Sequence, residues 1–197
     1  MDRSELPELH YIAPIENIRS ILVRGILSNR RARPLNPATV AMREIQDIRA
    51  GKSVPNGRLL HDYANLYICA RNPMLRKLRA HHLDICVFAI NTDVLDLPYV
   101  VIADGNAASS YTAFWSSPGG LAKIDGDRVF AEYWTNDDQI QEWYNKRVKC
   151  AEVLIPDRVE PRFIRGAYVS CQLSEQKLLG EGFDRPITID SHLFFIN

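Results

Sequence analysis

Apolar and polar positions divide this 197-residue chain into short, strand-like runs separated by helical stretches. Strand-like runs, rich in β-branched and aromatic residues, occur at LHYIA, NLYICA, DICVFAI, YVVIA, VKCAEVLIP, GAYVSC and HLFFI. After Pro14, Ile15, Ile18 and Ile21 fall at helical spacing, and Gly25 ends this predicted helix. Strands outnumber long helices and do not alternate with them regularly, which predicts an α+β fold rather than a doubly wound sheet.

Further helices are indicated by capping residues and by amphipathic spacing. Asn72 is a good N-cap and Pro73 suits the first helical position, so a helix is expected to follow NLYICA directly. Bracketing prolines and a glycine, at Pro34, Pro37, Pro55 and Gly57, predict a helix around 39–50. Amphipathic patterns predict helices at 136–149 and in the stretch that ends at Leu179.

Two long polar stretches separate these elements. From Ser28 to Leu60 the chain is polar and rich in proline, and excursions of this length in compact domains are commonly binding loops or lids. We therefore expect it to take part in binding. The stretch from Asp104 to Asp127 is predicted to be a loop.

Composition limits the class of protein. With 46% hydrophobic residues and no dividing linker, residues 1–197 are expected to form one globular domain. No run reaches the apolar length of a bilayer span, and the N-terminus lacks a signal-like pattern, so we expect a cytoplasmic monomer that makes no membrane contact. The four cysteines have no CxxC pair or histidine at metal-ligand spacing, which predicts reduced thiols and no metal site.

Charge is balanced overall but is distributed unevenly. Between Asn29 and Ala80 the sequence has eleven basic and three acidic residues, a local net charge of +8, so the remainder carries about −8. A polyanion would therefore meet one favourable face. Solvated helix faces explain the same count, and charge alone leaves both interpretations open.

A carboxylate interrupts the strand-like run VKCAEVLIP. Glu152 stands in its apolar middle, and an isolated buried carboxylate is costly unless it is partnered or faces a cleft where its charge is used. Because strands alternate faces, Glu152 could instead lie on a solvated side opposite Val153.

Four segments in a fixed order carry a family resemblance. LHYIAPIENIRSILVRGILS, LLHDYANLYICARNPMLRKL, VVIADGNAASS and AEVLIPDRVEP resemble the DarT family of DNA ADP-ribosyltransferase toxins. The resemblance implies an ADP-ribosyltransferase-like split mixed β-sheet with flanking helices. It also implies transfer of ADP-ribose from NAD, used as a substrate, to thymine or guanine in single-stranded DNA. The implied partner is a macrodomain antitoxin that removes the modification.

The resemblance assigns two catalytic positions. Glu152 matches the family's catalytic glutamate, whose charge would stabilise the positive charge that develops on the ribose as nicotinamide leaves. Arg49 matches an arginine that promotes proton removal from the base. Because arginine is permanently charged, we expect it to stabilise the deprotonating base or to orient the NAD phosphates.

The resemblance also implies a set of NAD-binding residues, in which Arg49 takes part. A first-strand histidine belongs to it, and His10 is favoured, although an ungapped alignment places Tyr11 there, and a one-residue slip reverses the side chain's facing. Tyr67 is expected to line the nicotinamide pocket, although core packing explains it equally well. The expected NAD-binding set is His10, Ile12, Ser20, Ser28, Tyr67 and Arg49.

DNA contacts are expected from the basic residues between Ser28 and Arg79 and from rings in the loop before the catalytic strand, namely Tyr111, Phe114 and Trp115. Two alternatives remain open at this point. One is an ADP-ribosyltransferase that acts on RNA or protein, and the other is a catalytically idle nucleic-acid-binding domain. The pairing of Glu152 with Arg49 argues against the idle domain, which has no need of a buried carboxylate.

Overall fold

The structure is a computed structural model that describes residues 1–55 and 57–196. Its strands are β1 (Leu9–Pro14), β2 (Ile26–Leu27), β3 (Tyr63–Tyr67), β4 (Ile85–Ile90), β5 (Val101–Ala103), β6 (Phe114–Ser116), β7 (Glu152–Pro156), β8 (Arg158–Val159), β9 (Ile164–Val169) and β10 (Ile187–Ile189). Eight of them form one sheet in the order β10-β9-β4-β1-β3-β7-β5-β6, and β2 pairs with β8. The β9–β10 pair is parallel and the other pairs are antiparallel, so the sheet is mixed.

The main sheet is split between β1 and β3, near its centre. β1 pairs with β4 along its whole length, from Leu9 to Pro14. Against β3, in contrast, β1 pairs at a single described position, where His10 lies opposite Tyr67. The two halves of the sheet therefore diverge beyond this pair, and the predicted split mixed sheet of the α+β class is confirmed.

Seven α-helices flank the sheet within the described residues. They are α1 (Ile18–Arg24), α2 (Asn29–Ala32), α3 (Arg43–Ala50), α4 (Pro73–Lys77), α5 (Gly126–Phe130), α6 (Gln139–Lys149) and α7 (Gln172–Gly180). The capping prediction for α4 is confirmed, because the Asn72 side chain accepts hydrogen bonds from the amides of Met74 and Leu75. Gly25 ends α1 as predicted. Its φ is +84°, and a Cβ there would lie 2.1 Å from the carbonyl oxygen of Val159, so only glycine fits.

The two faces of the sheet bury unequal cores. Leu9, Leu66, Phe88 and Val153 point into the larger core. The opposite face carries a smaller cluster that includes Ile12, Val87, Leu75 of α4 and Phe194. Side chains alternate along a strand, so Glu152, next to Val153, belongs to this second face.

Two sequence predictions about strands need correction. In VKCAEVLIP the strand begins only at Glu152, because α6 continues through Lys149 and Cys150 caps it. HLFFI is not a strand. The amides of Phe194 and Ile196 donate to the carbonyl of Ser191 and close a turn, which buries Phe194 completely, and the last strand is β10 instead. An apolar run of this length does not distinguish a strand from a buried turn.

The stretch 104–127 is also more regular than predicted. β6 pairs with β5 as an edge strand, and α5 begins within the stretch, where the Asp125 side chain accepts a hydrogen bond from the Arg128 amide. None of the helices in the described part of the chain is long and apolar enough to span a bilayer.

Candidate active site

Three of the predicted site residues lie in one row across the sheet. His10 on β1 pairs with Tyr67 on β3, and Tyr67 pairs with Glu152 on β7. Directly paired residues of antiparallel strands point to the same face, so the three side chains share the side of the smaller cluster. Tyr11 packs against the larger core on the other side. The register thus brings His10 to the strand face of Glu152, whereas Tyr11, on the other face, is the one of the two that lines the cavity described below.

The Glu152 carboxylate is buried and fully partnered. Its side chain is 2% exposed, which excludes a solvated position. Nη1 of Arg49, a residue that is itself 6% exposed, lies 3.1 and 3.3 Å from the two carboxylate oxygens. The amide of Ala107 donates to Oε1 at 3.0 Å. The two predicted catalytic side chains therefore form one buried ion pair, although they are 103 positions apart in the chain.

Four buried polar side-chain atoms, on three of the candidate residues and on His61, have no hydrogen-bond partner among the described residues. They are Nη2 of Arg49, Nδ1 of His10, Oγ of Ser28 and Nε2 of His61. Leaving a buried donor or acceptor unsatisfied costs about 1–3 kcal/mol, and more for a charged group. Such atoms suit a polar ligand that would satisfy them. Sequence reasoning missed His61, whose position in HDY gave no separate signal.

Burial also sets the charge states around the site. Desolvation lowers the pKa of His10 to about 4, so its imidazole is neutral at pH 7. Burial, together with the charge of Glu152, raises the pKa of Tyr67 well above its usual value, so the phenol stays protonated. Burial raises the pKa of Cys150 to about 12, and this thiol is therefore not a nucleophile. The Arg49–Glu152 pair thus supplies the charges at this end of the row.

The loop that presents the Ala107 amide is fixed by Arg147. Nη1 of Arg147 donates to Oδ1 of Asp104 at 2.8 Å, and its carbonyl accepts from the Asn106 amide at 3.0 Å. A Cβ at Gly105 would lie 2.9 Å from that carbonyl, so the close approach requires glycine. These contacts hold Ala107 in place. The sequence did not reveal them, because a backbone donor leaves no trace in residue type.

A buried lysine anchors the junction of α6 and β7. Lys149 is 1% exposed, and its Nζ donates to the carbonyls of Val129 at 2.8 Å and Ala131 at 2.5 Å. It thereby fixes α5 against the start of the strand that carries Glu152. Sequence reasoning treated Lys149 as the end of an amphipathic helix and missed this role.

A cavity of about 220 Å³ opens beside the ion pair. Its floor includes Ile12, Asn65, Tyr67, Arg49 and Glu152. Residues 38–42, 45 and 46, which belong to the long excursion between Ser28 and Leu60, form one wall. The excursion thus borders the site, in keeping with the expected binding role.

Three predicted NAD-binding residues lie outside this lining. His10 is at the outer end of the row, next to Tyr168, with the ring centroids 6.4 Å apart. Ser28 is buried immediately before α2, whereas Ser20 is exposed on α1. The structure therefore gathers Ile12, Tyr67, Arg49 and Glu152 around one cavity and leaves His10, Ser20 and Ser28 outside its lining.

A second, larger cleft of about 760 Å³ adjoins this cavity. We name it the α4–α6 groove, and it is lined by Pro73, Arg76, Lys77, Arg79, Asn106, Ser109, Trp134, Thr135, Glu142, Trp143, Lys146, Arg147 and Cys150. Four of these residues, Pro73, Lys77, Asn106 and Cys150, also line the first cavity. The two openings are therefore adjacent and share part of their lining.

Comparison with known proteins places the chain. A family model described as ssDNA thymidine ADP-ribosyltransferase, DarT, matches residues 10–195. The chain is 33% identical over 198 residues to a DNA ADP-ribosyl transferase–DNA ADP-ribosyl glycohydrolase fusion protein of Thermosipho africanus. That match covers 96% of this chain and 50% of the relative, so the chain spans about half of the relative's length.

Solved structures agree with this match. Thermosipho africanus DarTG in complex with ADP-ribose superposes with a TM-score of 0.82 at 30% identity, covering 96% of this chain and 51% of that one. Thermus sp. 2.9 DarT in complex with ADP-ribosylated ssDNA has the same fold, with a TM-score of 0.83 at 22% identity and 96% of both chains covered. The family match over nearly the whole chain, the 33% identity and the shared split sheet together show that this protein belongs to the DarT family.

Proposed function

We propose that this chain transfers ADP-ribose from NAD to a base of single-stranded DNA and releases nicotinamide. The observation that carries the proposal is the row of His10, Tyr67 and Glu152, with Arg49 paired to the carboxylate at the wall of the cavity. Membership of the DarT family and the two solved relatives named above support the same reaction.

Glu152 would act where positive charge develops. As the bond between the nicotinamide nitrogen and C1 of its ribose breaks, the electron pair leaves with nicotinamide, and the sugar becomes cationic. A fixed carboxylate in a dry site stabilises that charge more in the transition state than in the ground state. The Ala107 amide and Arg49 keep the carboxylate in one orientation.

Arg49 would act on the acceptor. A base nitrogen forms the new bond to C1 and loses its proton to solvent, so negative charge on the base must be stabilised as the proton leaves. An arginine side chain is a permanent cation, and Nη2 of Arg49 has no hydrogen-bond partner among the described residues, so it could make such a contact. Neutral His10 and Tyr67 would bind NAD, together with the backbone of Ile12, at the split between β1 and β3. Ser28 and Ser20 complete the proposed NAD-binding set.

A toxin role with a macrodomain antitoxin is the biological counterpart of this reaction. The Thermosipho relative joins a DNA ADP-ribosyl transferase to a DNA ADP-ribosyl glycohydrolase in one chain. A separate macrodomain that removes ADP-ribose would supply the second activity to this chain. Expression of the wild-type chain alone should then arrest growth, and co-expression with an active macrodomain hydrolase should restore it.

The decisive experiment uses NAD labelled in its adenylate part. The protein is incubated separately with single-stranded DNA, duplex DNA, RNA and protein, and label in each acceptor is counted. Label on single-stranded DNA alone is expected, whereas label on RNA or protein would reassign the acceptor. Oligonucleotides that contain thymine without guanine, or guanine without thymine, identify the base. No label on any acceptor would refute the proposal.

A further inference from the structure

The α4–α6 groove brings together basic and aromatic side chains outside the NAD cavity. Its walls carry the basic residues Arg76, Lys77, Arg79, Lys146 and Arg147 against one acid, Glu142. Trp143 is 61% exposed, so a large ring stands open to solvent beside these charges. Such a combination of cations and open rings is typical of surfaces that bind single-stranded nucleic acids.

Two arginines of the groove, Arg76 on α4 and Arg79 just beyond its end, are available for phosphate contacts. Arg76 and Arg79 have no carboxylate within 4.0 Å among the described residues. The guanidinium of Arg76 instead lies over the ring of Trp134, 5.6 Å from its centroid, which holds it at the groove wall. The opposite wall is weaker in charge, because Lys146 is paired with Glu142 and Arg147 with Asp104.

The groove also leads to the reaction site. Asn106 and Cys150 line both the groove and the cavity, and Glu152 lies two residues beyond Cys150. A strand in the groove would therefore pass the mouth of the cavity, where one base can turn inward. Base stacking on Trp143 and phosphate contacts on α4 would hold its neighbours.

From this adjacency and charge we infer that the α4–α6 groove is the binding surface for the DNA strand that flanks the acceptor base, with Trp143 as the ring on which a base stacks. The inference rests on the proposed function and names the binding surface of the same site. It assigns the phosphate contacts to Arg76 and Arg79 rather than to the arginines of α2.

The test measures equilibrium binding of a fluorescently labelled single-stranded oligonucleotide in the absence of NAD. Trp143→Ala should raise Kd about five-fold or more, since base stacking contributes on the order of 1–3 kcal/mol per base. The exposed ring can be removed without opening the core. Tyr99→Ala, an 83% exposed ring outside the groove, is the matched control and should leave Kd unchanged.

A second variant tests the charges independently. Arg76→Gln combined with Arg79→Gln should shallow the slope of log affinity against log salt by about 1.4, because each phosphate neutralised on a single strand contributes about 0.7. Arg24→Gln combined with Arg165→Gln removes two exposed charges elsewhere and should change the slope far less. NAD hydrolysis without DNA should be unaltered in the groove variants, because the residues replaced do not line the NAD cavity.

The outcomes separate this inference from the proposed function. Wild-type Kd in both groove variants, with transfer of ADP-ribose to DNA intact in the wild type, overturns the groove and leaves the reaction standing. Equal losses of single-stranded and duplex binding would also overturn it, because stacking requires unpaired bases. Absence of transfer to any DNA in the wild type refutes the reaction itself.

Discussion

Two regions that are both rich in basic residues in the sequence differ in how many of those residues are ion-paired in the structure. Around α2, Arg30 pairs with Asp62 at 2.9 Å, whereas Arg31 and Arg58 both pair with Asp157, at 3.3 and 2.7 Å. In the α4–α6 groove, the basic residues of α4 have no such partners among the described residues. The net charge of +8 between Asn29 and Ala80 therefore overstates what a polyanion would meet at α2. Available charge depends on which acids the fold brings near, and sequence distance does not show this.

The largest expected effect comes from a substitution that removes the catalytic carboxylate and leaves both basic regions unchanged. Glu152→Gln keeps an acceptor for the Ala107 amide but loses the charge that stabilises the transition state. We expect transfer of labelled ADP-ribose to fall about 10³-fold, by analogy with the removal of one preorganised electrostatic group from an active site. Affinity for single-stranded DNA should change far less than transfer, because Glu152 does not line the α4–α6 groove.

Glutamine is the better replacement because of Arg49. Alanine would leave a buried guanidinium unpaired, and breaking a buried ion pair in this way costs about 3–5 kcal/mol. Thermal unfolding of the Gln variant is therefore measured in parallel. Near wild-type transfer by a folded Gln variant would contradict the catalytic role of Glu152.

Neutralising each basic region in turn compares them directly. Arg76→Gln with Arg79→Gln should raise Kd for single-stranded DNA about five-fold or more, as expected when unpaired cations that bind phosphates are removed. Arg30→Gln with Arg31→Gln should raise it less than about two-fold, because those charges are already neutralised. Anisotropy titrations at two salt concentrations measure both. A larger loss in the α2 variant would move the DNA surface to the region around α2, including Arg33.

Removing the acid that pairs with arginines around α2 should narrow the difference in DNA affinity between the two basic regions. Asp157→Asn removes the partner of both Arg31 and Arg58, and asparagine tolerates the positive φ of 65° at this position. Non-specific affinity for single-stranded DNA should rise, with a salt slope steeper by up to about 1.4 for two newly available cations. An unchanged slope would mean that these arginines do not face the DNA even when unpaired.

The smallest effect is on stability. Hydrogen bonding to Arg58 lowers the pKa of Asp157 below its value in the unfolded chain, so its ion pairs stabilise the fold above about pH 4 and lose that contribution as pH falls through the lowered pKa. Both pairs are substantially exposed, so Asp157→Asn should cost only about 0.5 kcal/mol at pH 7. Urea unfolding at pH 7 and near pH 3 should show the difference shrinking at the lower pH.

Local signals predicted much of the fold. Asn72 with Pro73 marked the start of α4, and Gly25 marked the end of α1, because caps depend on adjacent residues alone. The end of the chain could not be predicted in the same way. HLFFI has the composition of a strand, yet its place against α4 is decided by packing, which buries Phe194 with Leu75.

The candidate site likewise contains residues that the sequence predicted and groups that it did not. Glu152 and Arg49 were found through their positions in the family pattern, and their 3.1 Å contact brings together the two roles. The Ala107 amide, the Arg147–Asp104 contact and the buried ammonium of Lys149 were not found. Each depends on a backbone group or on a long-range contact, and neither has a residue-type signature.

The single β-pair between His10 and Tyr67 has a consequence for thermal stability and for amide hydrogen exchange. Only one described pair joins β1 to β3, so backbone hydrogen bonds couple the two halves of the sheet weakly, and the larger core supplies most of the remaining coupling. A dinucleotide bound across that opening would contact both strands where they do not pair with each other. Occupancy should therefore raise the melting temperature and slow amide hydrogen exchange on both β1 and β3 together, and the split sheet would gain its full cooperativity only with substrate bound.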